Sequence, residues 1–387
     1  MLFYSAILLT FIGIGFAEFL LSKKGCNKVV LVSLKILPFF ILFFLAVLKK
    51  DTVGYDSITY HNWYNLLSNG QKPSGSYAGI EIGFRFLMEL FASAKSPYIV
   101  FLIVCNIIIY LPTSIAVLKL SKNSGFSAFI YACLSIMVFN FSALRQAISI
   151  SFALLSLIFT FKKKWWSIIV SFVLIIIAVL FHKSGFAFVL TIPLVYIPIN
   201  KKAIYYIIPL AIVFFFITPP IVMSFYYGFL YGSPYYPITR NGVGEYYFFF
   251  LTMFAGFFFF ANYNQFKNLI RSFFCFIECK ITKREKKKSD DYDIEENNTI
   301  VNPLLLMFFI GVLFQSTSQV NFAFPRFATQ FLAIISIAAI NIIMTEKHNL
   351  TRIALLSIVL LGFYLFFLYD SILPNYLGVC PYLFFWQ

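Results

Sequence analysis

"FNFSALRQAISI", residues 139–150, sets an arginine and a glutamine, Arg145 and Gln146, inside sequence that is apolar for most of the stretch from 125 to 161. A permanent positive charge at the centre of a bilayer helix costs about 2.5–3.5 kcal/mol, even on scales derived from membrane insertion. The charge therefore sits at a membrane edge, where it is cheap, or it holds something negative. Both readings presuppose a membrane, and the composition supplies one. The 387 residues are 61% hydrophobic and 12% charged, with a mean hydropathy of +0.86. A soluble domain is typically about 45–50% apolar and about 25% charged. The chain reads as an all-α polytopic membrane protein, one integral domain over residues 1–387.

Apolar stretches long enough to cross a bilayer recur along the chain. Candidate spans are 3–21, 29–48, 98–118, 126–141, 146–161, 165–181, 186–199, 203–218, 246–262, 300–315, 327–344 and 353–370. Several are short enough to be tilted or re-entrant, so the expectation is about twelve spans, within a range of roughly ten to fourteen. The first apolar run lacks a basic leader and a small-residue cleavage site, and reads as a retained helix. The high aromatic content, 21% with 52 Phe, is assigned no function.

Orientation follows from the basic loops. Lys23, Lys24, Lys28, Lys119, Lys122, Lys162 to Lys164, Lys201, Lys202, "KITKREKKK" at 280–288, Lys347 and Arg352 all fall on one side of the expected topology. By the positive-inside rule that side is the cytoplasm. The agreement requires that residues 80–95, "IEIGFRFLMELFASAK", lie at the outer interface as an amphipathic helix. The net charge of +15 is then a matter of orientation, and no nucleic-acid motif accompanies it. The cytoplasmic loop 263–299 passes from basic to acidic and reads as a solvated linker. The six cysteines show no zinc-type spacing, and no metal or cofactor is expected.

With the basic loops set aside, the remaining polar residues collect on the outer side. The loop 49–97 carries Tyr55, Asp56, Tyr60, Trp63 and Glu81. Arg145 and Gln146 lie at one helix end, His182 and Lys183 at another. The loop 219–245 carries Arg240, and Arg326 precedes a late span. Each has a plain alternative. Arg145 reads equally as a snorkelling interfacial arginine, His182 as an interfacial histidine, Asp56 and Glu81 as loop carboxylates, and Arg326 as a helix start. Tyr55, Tyr60 and Trp63 read equally as an aromatic belt. Together they are less ordinary, because basic residues are disfavoured outside. Three of the four are arginines, which grip phosphate through a planar fork. Arginines, one histidine and carboxylates around a membrane-facing aromatic cleft suit a lipid carrying a diphosphate and sugars.

Five motifs carry a resemblance: "YDSITY..WY" (55–64), "EIGFRFL" (81–87), "ALRQAISISFAL" (143–154), "FHKSGF" (181–186) and "FPRFATQF" (324–331). In this order they resemble the EpsG family of bacterial exopolysaccharide proteins, related to Wzy-type O-antigen and capsule polymerases. The family often has a tyrosine after the late arginine; here Phe327 and Phe331 follow. The resemblance implies a glycosyltransferase that polymerises repeat units carried on undecaprenyl diphosphate, at the outer face of the cytoplasmic membrane. It implies a flippase and a chain-length regulator as partners. On this reading Arg145 and Arg326, with Arg240, bind the diphosphate. His182 is the first choice for the base, with Asp56 and Glu81 as alternatives, while Gln146, Lys183, Tyr55, Tyr60 and Trp63 contact substrate. A flippase or secondary transporter, a ligase of the same build and a membrane acyltransferase stay open. Ionisable residues gathered at helix ends, not at the midplane, favour the enzyme.

Overall fold

Apolar runs bounded by lysines become long helices, because a backbone without water must satisfy its own hydrogen bonds. The structure is a computed structural model that describes residues 2–197, 298–316, 324–375 and 377–387. In it, α1 (Leu2–Lys23), α2 (Lys28–Leu48) and α5 (Tyr98–Leu120) are long and apolar enough to cross a membrane. So are the stretches Arg326–Met344 and Asn349–Ile372. Among the described residues this makes five candidate spans, or six with one bent pair. The expected count of about twelve is not confirmed among the described residues. The spans at 203–218 and 246–262 lie outside the described residues, as do Arg240, the loop 219–245 and most of the charged loop 263–299.

The bent pair is where the expected span 126–141 fails as a single helix. α6 (Ser124–Cys133) and α7 (Ile136–Ser142) meet at 61°. Ser135 at the break is left-handed, φ 65°, and its hydroxyl bonds the Asp370 carboxylate and the Ser371 hydroxyl. A second break, at Ala143, separates α7 from α8 (Leu144–Thr160). α8, α9 (Trp165–Phe181) and the segment Ile300–Gln315 are apolar but shorter than a full span. The expected span 186–199 opens instead as a 3-10 helix, Lys183–Leu190. The layering follows exposure. α1 and α2 have only 33% and 28% of their central windows buried, whereas Arg326–Met344 has 83% and sits at the middle.

The segment 49–97 is more ordered than its sequence suggests. It contains α3 (Tyr55–Ser68), a short 3-10 turn at Gly75–Gly79 and α4 (Ile82–Ser93). α4 is the expected amphipathic helix. It buries Phe84, Met88 and Ala92, spaced by four, and leaves Phe86, Glu89 and Leu90 exposed. Gly83 lets it approach α9, since a Cβ there would lie 2.8 Å from the Leu180 carbonyl oxygen.

α3 has no side-chain cap, so its first amides find partners elsewhere. Tyr55 N–H donates to the Leu377 carbonyl (3.2 Å) and Asp56 N–H to Ser142 Oγ (3.2 Å). Ser57 Oγ donates to the Phe141 carbonyl (2.7 Å) and accepts from the buried Lys49 Nζ (2.6 Å). Gly54, just before the helix, has φ +93° and donates its N–H to the Gly378 carbonyl (3.0 Å). The start of α3 is thus bolted to the end of α7 and to the C-terminal tail. A Cβ on Gly54 would lie 2.7 Å from the Phe141 carbonyl oxygen. Gly54→Ala is therefore expected to cost roughly 1–3 kcal/mol. The check is thermal unfolding of the detergent-solubilised chain, with Gly79→Ala, which meets no atom within 4 Å, as the neutral control.

Candidate active site

A cavity of about 340 Å³ opens where α3, the α7–α8 break, the end of α9 and the segment Phe324–Leu332 converge. Its lining includes Tyr55, Asp56, Tyr60, Arg145, Gln146, His182 and Arg326. These come from four of the five motifs, spread over roughly 270 positions of sequence from 55 to 326. Phe139, Ser142, Ala143, Thr329 and Leu377 complete the wall. The volume falls in the lower part of the range for small-molecule sites, ~300–1,000 Å³.

Arg145 stands in the first turn of α8. Its Nη1 donates to Glu81 Oε2 at 2.6 Å and its Nε to the Tyr60 hydroxyl at 3.3 Å. The ion pair is well enclosed, with side chains 22% and 9% exposed. The other Glu81 oxygen accepts the Lys183 amide (3.3 Å). Desolvation pushes the Glu81 pKa up, but its own backbone amide and the Arg145 charge outweigh this and hold it below the ordinary carboxylate value. Glu81 therefore stays ionised and fixes the arginine fork. It does not line the cavity. Tyr60 is fully enclosed, and burial raises its hydroxyl pKa to about 12, so it stays protonated.

Gln146 is buried and donates from Nε2 to the Arg326 carbonyl (2.9 Å), which ties the first turn of α8 to the segment carrying the second arginine. Asp56 is accessible through the cavity mouth. Surrounding protein raises its pKa above the ordinary value, and the positive charges of Arg145 and Arg326 offset part of the rise. No hydrogen bond or ion pair among the described residues engages its carboxylate.

His182 ends α9 in extended conformation (φ −158°, ψ 126°) and caps the following 3-10 helix. Its Nδ1 accepts the Ser184 N–H (3.2 Å) and lies 2.7 Å from Ser184 Oγ. Gln330 Nε2 donates to Ser184 Oγ (3.0 Å) and to Ser149 Oγ (3.2 Å). The ring is held by a network of hydroxyls and an amide. Burial lowers its pKa to about 4; Glu81 opposes this, while Arg145, Arg326 and Lys183 add to it.

The sequence-derived candidates separate cleanly. Tyr55, Asp56, Tyr60, Arg145, Gln146, His182 and Arg326 share one cavity. Lys183 is exposed, and Trp63, which packs edge-on against Tyr60 and Tyr77, is not among the lining residues. Ser142, Ser149, Gln330 and Leu377 were not singled out by sequence. The first three left a faint signal, as polar residues inside apolar helices; Leu377 left none. Among the described residues, no group of three or more His, Cys, Asp or Glu is placed to hold a metal ion.

The depressed His182 pKa has a consequence for stability. Between pH 6.5 and about 4 the unfolded chain binds a proton at this residue that the folded chain refuses. Stability therefore falls as pH drops through that window, and is unaffected by this group above it. In His182→Gln the slope is expected to flatten, measured as the difference in Tm between variant and wild type from pH 7 to pH 4.

No curated protein and no solved structure matches the chain. A family model does, over residues 32–384, a range that takes in every wall of the cavity described above. On that match, which covers nearly its whole length, the chain belongs to the EpsG family.

Proposed function

We propose that this protein polymerises lipid-linked oligosaccharide repeat units in exopolysaccharide, capsule or O-antigen synthesis. The growing glycan passes from undecaprenyl diphosphate to the non-reducing end of an incoming lipid-linked unit, at the outer face of the bacterial cytoplasmic membrane. One observation carries the reading: two arginines, an accessible carboxylate, a neutral histidine and an accessible tyrosine share one cavity at the ends of apolar helices. Family membership points to the same broad class of polymerase.

The chemistry asks for what the cavity holds. A glycosyl diphosphate leaves as an anion, so donors must wait where its charge develops. Arg145 is pre-aimed by Glu81 and Tyr60, with Nη2 unengaged among the described residues. Arg326 lines the same space and is tied to the next residue of α8 through Gln146. Because the Arg145 fork is positioned before substrate arrives, little reorganisation accompanies the reaction there. Tyr55, exposed at the mouth, offers a ring face to a sugar. Lipid chains would lie along the exposed apolar flanks, and a flippase and a chain-length regulator would work beside the enzyme.

The test is a host deleted for this gene and complemented with variants, followed by gel sizing of the surface glycan and of lipid-linked intermediates. Arg145→Ala is expected to cut polymer by on the order of 10²–10³-fold and leave single lipid-linked units outside. Arg145→Lys is expected to do no better, since a lysine cannot hold Glu81 and a phosphate in one plane. Units that accumulate unflipped inside would mean the protein is a transporter. Glu81→Gln is expected to lower activity about tenfold by loosening the Arg145 fork, with Arg145 itself still present.

A further inference from the structure

The proposed reaction needs a group to take the acceptor hydroxyl's proton, and two cavity residues compete: His182 and Asp56. The hydrogen bonds around the histidine decide between them. A backbone N–H can only donate. Since the Ser184 N–H points at His182 Nδ1 (3.2 Å), that nitrogen is the bare, accepting one. The Ser184 hydroxyl, itself receiving a hydrogen bond from Gln330, is 2.7 Å from the same nitrogen and supplies a second donor to it. The neutral ring then carries its one proton on Nε2. A protonated Nε2 has no lone pair in the ring plane with which to accept a proton. What His182 offers the cavity is a hydrogen-bond donor.

Asp56 has the complementary character. Its carboxylate lines the same cavity, is accessible, and is engaged by no hydrogen bond or ion pair among the described residues. The other carboxylate near the site, Glu81, is committed to Arg145 and the Lys183 amide and lies outside the lining. Asp56 is held in place by its backbone, through the Asp56 N–H to Ser142 bond, which leaves the side chain free to meet substrate.

Resting on the polymerase reading, we infer that Asp56 is the general base and that His182 is a neutral donor to the departing diphosphate, working with Arg145 and Arg326. In the step, the acceptor oxygen forms a new bond to the anomeric carbon as its proton passes to the Asp56 carboxylate. The bond from the anomeric carbon to the phosphate oxygen breaks, and its electron pair leaves on undecaprenyl diphosphate. His182 Nε2–H and the two guanidinium groups meet that charge. The proton on Asp56 then returns to water through the open mouth of the cavity.

Substitutions at His182 separate donor from base. In His182→Gln the amide N–H reaches the position of Nε2–H but cannot act as a base. In His182→Asn the side-chain oxygen can keep the Ser184 cap, but no donor reaches the cavity. Each full-length variant is expressed in the deleted host for glycan sizing, and purified for titration with undecaprenyl diphosphate. The donor assignment expects His182→Gln to keep at least about a tenth of wild-type polymer. His182→Asn and His182→Ala should lose on the order of 10²-fold, with weaker binding of undecaprenyl diphosphate. Asp56→Asn should lose about 10²–10⁴-fold of polymer while binding undecaprenyl diphosphate as tightly as wild type or tighter.

Near-normal polymer from Asp56→Asn overturns the assignment. So does Asp56→Asn that no longer binds undecaprenyl diphosphate, which would make its role structural. Equal inactivity of His182→Gln and His182→Asn with binding intact would make the histidine the base. Polymer persisting in the deleted host, with no binding by the wild-type chain, is a different failure: it removes the polymerase reading itself, and this one with it.

Discussion

A guanidinium and a carboxylate enclosed at the end of an apolar bundle, Arg145 with Glu81 at 2.6 Å, set the terms for everything around them. Neither charge is stable alone where it stands. Removing one partner of an enclosed pair strands the other at a cost of about 3–5 kcal/mol. The pair therefore links α8 to α4, two elements far apart in the chain, and the Lys183 amide brings the end of α9 to the same carboxylate. With the Arg145 bond to Tyr60 of α3, three of the cavity's walls (α3, the start of α8 and the end of α9) are located by one ionic contact and its hydrogen bonds.

Around that contact the backbone is broken at several places, and polar groups face the cavity there. α7 stops at Ser142, α8 begins at Leu144, and α9 gives way to a 3-10 helix after Phe181. Each break leaves amides and carbonyls without helical partners, and each is met by a side chain or a distant strand of backbone: Ser142 and Leu377 for α3, His182 for the 3-10 helix, Gln146 for the Arg326 carbonyl. Residues that satisfy the backbone are in several cases the same residues that face the cavity. This couples the integrity of the fold to the arrangement of the site. It also explains why His182 has a defined tautomer: its Nδ1 is a helix cap as well as a ring nitrogen.

The buried acids elsewhere do different work. Glu18 accepts the amides of Ser124 and Gly125 at the start of α6, where the helix dipole favours a negative charge. Asp370 braces Ser135 at the α6–α7 break. Both shape the path of the chain between α1 and α7, and neither lies in the cavity lining. A carboxylate in a membrane protein is a functional candidate by default; in these two the partners are backbone amides, hydroxyls and, for Glu18, the Lys35 ammonium at 3.7 Å, and the role is architectural.

Composition and the recurring apolar runs predicted helices built to cross a membrane, because 61% hydrophobic residues far exceed what a water-soluble surface carries, and five helices or helical stretches among the described residues are long and apolar enough to do so. The sidedness of the lysines singled out a handful of polar residues, and the amphipathic spacing of 80–95 was legible as α4 because Phe84, Met88 and Ala92 repeat at helical intervals. The helix at Tyr55–Ser68 was not legible: its residues are polar and aromatic without clear period, and its first amides are satisfied by Leu377 and Ser142, partners from elsewhere in the chain. The break at Ser135 was hidden for the same reason, since apolar sequence on both sides reads as one span and only tertiary partners make the bend stable, whereas the break at Ala143 falls between the expected spans 126–141 and 146–161. Sequence could propose His182, Asp56, Glu81, Arg145 and Arg326 as a set. It could not divide them, because all five are simply ionisable residues near helix ends. Which carboxylate is tied to an arginine, which is free, and which histidine nitrogen holds the proton depend on hydrogen-bond partners 64, 102 or 2 positions away. Such partners are chosen by packing in three dimensions, where distance along the chain has no bearing on what can touch.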